Sequence, residues 1–377
     1  MRIVIVCPDI YPPLFGNSKI AWEFTKKLSN HGFDIIALTN GDRFELQDID
    51  GIQLCNMPVN KFWYAKSLPQ EVQSLLKGFD ADIVHGFGLF SAFMTLKCKS
   101  VLKRPAIQSV TGVWPVFKIG KFALPLPKVC KTVPLTGIDA LTFTNSFTQK
   151  YFTQAPCCAI LRKKRNCIVP FGLEDVWYSS DVSRNMEKRS ILFFGDGTYE
   201  RGLSVVLNAI PAIIEAYNVK ITLAIRHWGV GLNNSLIPRT QYILKKYPYN
   251  VTLVEYPMPY HISELVKQHA IVILPFTVNS MEPPVSLLES MALGRVVITT
   301  NIGGNGELIG QSKRGMLIDP GDTSQLVKSI LYLIETEPEM AVLGKNAQEY
   351  ISLNYNWTRA IQLLTALYEE VLGAKRL

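Results

Sequence analysis

Short β-branched and aliphatic runs alternate along this chain with longer segments whose apolar positions recur every three or four residues. Runs of the first kind fit strands buried on both faces; segments of the second kind fit helices with one apolar stripe. In the first half the pattern predicts strands at Ile3–Val6, Ile35–Leu38, Ile83–His85, Ala106–Ser109, Ala140–Thr144 and Cys167–Val169. In the second half it predicts Ser190–Phe194, Lys220–Ala224, Val251–Val254, Ile271–Leu274, Val296–Thr299 and Gly315–Ile318. A helix is predicted over Ser18–His31, closed by Gly32 as a C-cap, and another after Ser146 as its N-cap. Further helices fall near 203–216, 236–246, 261–268, 284–293, 323–336, 338–353 and 357–373. The alternation predicts an α/β protein of two doubly wound, Rossmann-like domains facing each other across a cleft, over 1–180 and 181–355. The polar, weakly periodic stretch Gly172–Lys188 is the expected linker.

Composition narrows the class. Of 377 residues 48% are hydrophobic and 19% charged, enough for large cores and unlike a disordered chain. The net charge of +8 suits anionic partners such as nucleotide phosphates or an anionic membrane surface. No nucleic-acid-binding signature is present, so nucleic acid is not an expected partner. Seven cysteines, an odd number with no CxxC pair, read as free thiols in a reducing compartment, hence a cytoplasmic expectation. The five histidines are scattered, and no metal or cofactor is expected. Met1–Cys7 reads as a buried strand, being too short for a signal peptide, and no run is long enough to span a bilayer.

Ligands of open parallel sheets bind beyond the carboxyl ends of strands, so the chemistry should sit just after them. After Leu274 the chain runs PFTVNSMEPPVSLLESMALG. Pro283 and Pro284 open a helix without donating, which leaves the amides of Val285 and Ser286 for a pyrophosphate. On that helix Ser286, Glu289 and Ser290 form one polar stripe. Glu289 can accept from a ribose diol or simply face solvent, and Glu282 can contact a sugar or complement the helix dipole. After Phe194 come Gly195 and the loop ending in Arg201, placed to clamp a phosphate or to lie on the surface. TNIGGNGE puts Gly303 and Gly304 after another strand, and YPPLFGN puts Gly16 and Asn17 after the first. Neither GxGxxG nor GxxxxGK[ST] occurs, which disfavours a nicotinamide oxidoreductase and a P-loop protein.

In order and spacing these blocks, with DIVHGFG, TFTNSFTQKYF, IVPFGLEDVWY, GMLIDPGDTSQLVKSI and YNWTRAIQLLTALYEEVL, resemble glycosyltransferase family 4, the retaining nucleotide-sugar enzymes of GT-B fold. The resemblance covers nearly the whole chain. It implies that the helix at about 356–377 crosses back onto the N-terminal domain, and that the C-terminal domain binds the donor. Glu289 matches the second Glu of the family's E-x7-E and would hold the ribose. The first falls on Met281 with Glu282 beside it, and Glu282 would take the sugar contact. Arg201 stands for the family's phosphate-binding Lys, with Glu282 and Arg201 the expected catalytic pair. The family's other cation is Asp196 here, and Arg226 would replace it. Gly16-Asn17 stands for a double Gly. The cleft His falls near Thr111; His85 is retained in the preceding strand, with Phe87 in place of its usual companion, and His85 and Thr111 would face the acceptor.

The function so implied is transfer of a sugar from a nucleotide-sugar, with retention, to a lipid-linked or glycan acceptor. A non-catalytic nucleotide-sugar-binding or scaffold protein of the same fold is the alternative, motivated by Met281, Asp196 and Thr111. KFWYAK at 61–66 and FKIGKFALPLPKVCK at 117–131 mix aromatic and cationic residues, and peripheral contact with the inner face of the cell membrane is expected through them.

Overall fold

The computed structural model describes residues 1–13, 16–58, 67–113, 116–119, 122–125, 132–154, 158–178, 187–226, 236–255, 262–278 and 282–373, with the backbone alone at 116–119, 122–125, 188 and 226. The chain forms two compact units. One comprises Met1–Gly172, Ser280–Glu282 and Asn356–Leu377, the other Leu173–Asn279 and Pro283–Tyr355.

The N-terminal unit is built on an eight-stranded sheet. Its strands are β1 (Arg2–Val6), β2 (Asp34–Gly41), β3 (Glu45–Ile49), β4 (Ile52–Pro58), β5 (Ile83–Phe87) and β6 (Ala106–Val110), with β9 (Ala140–Phe143) and β10 (Arg165–Ile168). Between β6 and β9 a separate two-stranded ribbon pairs β7 (Val116–Ile119) with β8 (Phe122–Pro125). The sheet order is β10-β9-β6-β5-β1-β2-β4-β3, parallel except for the β3–β4 pair. β5, β6 and β9 are buried at every position, as strands covered by helices on both faces must be. The β3–β4 hairpin lies outside the predicted elements. It turns on Asp50 and Gly51, both at positive φ, which matches the right-handed twist of the flanking strands. Exposed Leu46, Gln47 and Asp48 mark β3 as the edge.

The helix Trp357–Gly373 completes this unit's core. Ala360, Ile361, Leu364, Leu367, Tyr368 and Val371 are buried at three- and four-residue spacing. It packs on the helix Gly16–Asn30, with the Trp357 and Phe24 rings edge to face at 4.9 Å. Asn145, not Ser146, caps the helix Ser146–Thr153: its side chain accepts from the Thr148 amide at 2.8 Å. The capping residue must stay extended, and Asn145 has φ −154° while Ser146 is already helical.

The C-terminal unit holds a six-stranded, wholly parallel sheet: β11 (Glu187–Asp196), β12 (Lys220–Arg226), β13 (Val251–Glu255), β14 (His269–Leu274), β15 (Val296–Thr300) and β16 (Met316–Ile318). The order is β13-β12-β11-β14-β15-β16. The helices Leu203–Ala216 and Thr323–Glu335 supply Leu203, Val206, Ile210, Leu326, Ile330 and Leu333 to its core. Every predicted strand and helix of this half is present.

Candidate active site

In the C-terminal sheet the strand order runs away from β11 in one direction and from β14 in the other. The crevice beyond the carboxyl ends of these two strands is therefore the topological switch point. The two loops leaving it are tied to each other. The Thr277 amide donates to the Glu200 carbonyl at 2.9 Å, and the Thr277 hydroxyl to the Tyr199 carbonyl at 2.9 Å. Gly202 has φ +80°, and a Cβ there would lie 1.9 Å from the Pro275 carbonyl oxygen, so no other residue admits this approach. The clasp sets Arg201 with its guanidinium 5.4 Å from the centre of the Phe276 ring and 4.0 Å from the Asp196 carboxylate. Gly195, at the end of β11, carries no side chain between strand and arginine; the nearest atoms to a Cβ there belong to Arg201.

The helix Val285–Ala292 begins after the β14 loop. The amides of Leu287 and Leu288 both reach the Pro284 carbonyl, and the two prolines have no N–H. Val285 and Ser286 are thus the amides of the first turn without an intrahelical acceptor, on half-buried residues. Glu289 is buried, which removes the solvent-facing alternative. β15 braces the site from the side: Thr299 and Thr300 donate to the carbonyls of Leu274 and Phe276 at 2.8 and 2.7 Å. Asn305, buried after Gly303 and Gly304, donates to the Thr300 carbonyl at 3.0 Å. The backbone of Arg226 ends β12; its side chain lies outside the described residues, as do Met281 and the 61–66 stretch.

The N-terminal sheet has its own switch point, between β1 and β5. Gly16 opens the helix that follows β1, and Asn17 beside it accepts from the Thr111 hydroxyl at 2.7 Å and donates to the Cys7 thiol at 3.6 Å. Gly88, φ +78°, passes so near that a Cβ would lie 2.9 Å from the Asn17 amide nitrogen. The Thr111 carbonyl accepts from the Glu282 amide at 2.9 Å. Thr144 donates to the Glu282 carbonyl, and Asn145 to its carboxylate at 3.4 Å. Glu282 is fully buried among these groups of the N-terminal unit. Asp9 lies at the same strand ends, beside the Cys7 thiol at 3.7 Å, and burial raises its carboxyl above the ordinary range.

His85 does not present itself to a ligand. It is fully buried, with Nδ1 2.6 Å from the Tyr368 hydroxyl and Nε2 2.7 Å from the Ser109 hydroxyl. Burial pushes its pKa down to about 3, so the ring is neutral. Its mid-strand position under the helix Trp357–Gly373 is the reason, and this corrects its assignment to an acceptor-facing surface. Sequence reasoning missed Asn145, Phe276 and Asn305. Asn145 follows a buried strand and precedes a helix, a pattern that marks it as a cap. Phe276 and Asn305 carry no comparable signal, since only the folded loops bring them to the site.

Two α/β units with parallel sheets, each with glycine-bearing loops at its switch point, define the class of the protein: the GT-B glycosyltransferase fold. Residues 188–336 match the family model described as Glycosyl transferases group 1. An uncharacterized glycosyltransferase of Methanocaldococcus jannaschii is 20% identical over 401 positions, spanning 99% of this chain and 100% of its own. Sucrose-phosphate synthase from Thermosynechococcus elongatus matches with a TM-score of 0.77 and 14% identity over 99% of each chain. Anabaena HepE, in complex with UDP and glucose, matches with a TM-score of 0.74 and 14% identity over 98% of this chain and 100% of that one. The chain is a glycosyltransferase of GT-B fold, with a group 1 glycosyl transferase domain over residues 188–336.

Proposed function

We propose that the C-terminal unit binds a nucleoside-diphosphate sugar at the β11–β14 switch point and that the sugar is transferred with retained configuration. The observation that carries this is the clasp of the two loops around Arg201. It fixes a cation at the carboxyl ends of β11 and β14, and the same β14 loop leads into the helix whose Val285 and Ser286 amides lack intrahelical acceptors, which supports a diphosphate held by both. Glu289, buried on the same helix, is assigned the ribose hydroxyls, and Gly195, Gly303 and Gly304 allow the backbone to approach the donor. That HepE is solved with UDP and glucose supports a uridine or related diphosphate as leaving group.

In the reaction the bond from the sugar's anomeric carbon to the phosphate oxygen breaks, and a bond to an acceptor hydroxyl forms on the same face. The hydroxyl proton passes to the departing diphosphate. Arg201 and the helix-start amides stabilise the negative charge that grows on that diphosphate, where fixed donors act without reorganisation. The acceptor, a lipid-linked or glycan hydroxyl, is assigned to the N-terminal unit, near Gly16, Asn17 and Thr111; Glu282, fully buried with its carboxylate against Asn145, is not given the sugar contact. A lipid-linked acceptor fits a protein that works against the anionic inner face of the cell membrane. Among the described residues no helix is long and apolar enough to cross a bilayer.

The test is calorimetric titration of UDP, GDP and ADP and their glucose conjugates into the wild type and the Arg201→Ala variant. One nucleotide series is expected to bind, about 10- to 100-fold more weakly without the guanidinium, the range set by a charge-assisted hydrogen bond. Equal binding by both proteins would remove Arg201 from the site.

A further inference from the structure

The positive charge of this chain is concentrated in one stretch. Between Ile83 and Leu173 stand thirteen of the 39 Lys and Arg, but only one of the 31 Asp and Glu, namely Asp139. That stretch therefore carries +12 and the remainder −4. In the fold its described residues include β5, β6, β9 and β10 with their helices, the half of the N-terminal sheet from the switch point to the β10 edge, and nine of the thirteen cations have described side chains there. Some of these cations have internal partners. Lys99 donates to the Gly137 carbonyl and Asp139, Arg104 pairs with Asp80, and Arg165 pairs with Glu370. Lys103 and Lys163 are exposed, and Lys97 is half-buried.

The same region presents apolar side chains outward. The helix Ala92–Leu102 buries Ala92, Met94, Thr95 and Cys98. Its other face carries Phe93, Leu96, Lys97 and Ser100, spaced i, i+3, i+4 and i+7. Phe93 is 55% exposed. The turn Val133–Gly137 packs against this helix and against the helix Ala159–Arg162. It adds Val133, 54% exposed, while the second helix adds Ile160, 61% exposed. Single exposed apolar residues are commonplace. Three on adjoining elements, inside the one block of the chain almost without acid, are a different matter. A soluble polyanion would answer the lysines and leave Val133 and Ile160 in water, whereas a bilayer answers both.

We propose that this face of the N-terminal unit docks on an anionic lipid bilayer. Phe93, Val133 and Ile160 enter the boundary between headgroups and acyl chains, and Lys97, Lys103 and Lys163 lie over lipid phosphates. The inference rests on the peripheral membrane reading above and names the surface that reading requires. It differs from the 61–66 and 117–131 segments, which lie wholly or largely outside the described residues.

Co-sedimentation with vesicles of phosphatidylcholine alone, and of phosphatidylcholine with phosphatidylglycerol, tests it. The wild type is expected to partition onto the anionic vesicles only and to be released by salt. Two triple variants, Phe93→Ser/Val133→Ser/Ile160→Ser and Lys97→Gln/Lys103→Gln/Lys163→Gln, should each lower partitioning by about tenfold. Their thermal melting and nucleotide binding should stay near wild-type values, because five of the six positions are exposed and none lies in the unit that holds Arg201. Wild-type binding by both variants would overturn this surface and leave the peripheral reading standing. A wild type that ignores anionic vesicles would overturn both. Tighter binding to single-stranded RNA than to vesicles, indifferent to the serine variant, would assign the face to a polyanion instead.

Discussion

If Arg201 holds the donor's diphosphate as proposed, two charges compete for one guanidinium. Asp196 stands 4.0 Å away, both side chains about one-third exposed, so the pair is screened and weak. A diphosphate brings more charge and a better geometry, and should displace the carboxylate. Asp196→Asn is therefore expected to tighten nucleoside-diphosphate binding by a few-fold, since an exposed pair of this kind is worth about 0–1 kcal/mol. A titration showing weaker binding in Asp196→Asn would mean that the carboxylate itself serves the ligand. Gly202 carries a stability prediction. Gly202→Ala places a methyl group against the Pro275 carbonyl at positive φ. Overpacking of this kind costs about 1–3 kcal/mol, so the melting temperature should drop and nucleotide binding with it. Residues of this scale were partly legible in the sequence. The placing of Arg201, Gly195, Val285 and Ser286 after strands or at a helix start, and of Glu289 on the polar stripe of that helix, could be read locally. Phe276, Asn305 and the burial of Glu282 depend on loops meeting, which no local pattern records. His85 was misread because a polar residue inside a strand looks the same on paper whether its neighbours are ligand or core.

The strands and helices themselves were written plainly in the chain, because parallel strands covered on both faces are continuous apolar runs. β3 was not, since an exposed edge strand alternates with charge and resembles a loop, although Asp50-Gly51 carried the turn signal. One contact between elements has a measurable pH signature. Between Tyr368 of the C-terminal helix and Ser109 of β6, burial keeps His85 neutral, with its folded pKa near 3 against about 6.5 unfolded. The unfolded chain binds a proton first, so this group's share of stability is complete above pH 6.5. It declines by about 1.4 kcal/mol for each pH unit below that, until about pH 3. Urea denaturation of His85→Gln between pH 7 and 4 should show a flatter dependence than the wild type. Identical slopes would mean that the imidazole is not buried as described. Tyr368→Phe, which leaves a ring nitrogen without its partner, should cost about 1–3 kcal/mol at pH 7.

At the scale of the molecule, the two units differ in how they are assembled from the chain. The C-terminal unit has its own core of β11–β16 with flanking helices, nearly continuous in sequence. Residues 173–355 alone are expected to melt cooperatively and to retain nucleotide binding. Residues 1–172 alone lack the helix that covers Phe24 and His85, and should show no cooperative transition in the same experiment. The charge block belongs to this scale too: its lysines and apolar residues were each visible in sequence, but only the packing of three short elements puts them on one face. The helix Trp357–Gly373 also has a consequence for biosynthesis. Because 356–373 is translated after the whole C-terminal unit, the unit that emerges first from the ribosome is the last that can close. The nascent N-terminal sheet must wait, with the groove for its final helix uncovered, while its partner folds downstream. Slow codons or stalling within 283–355 should lengthen that wait and raise the fraction of chains captured by chaperones or proteases, without altering a single residue of the finished protein.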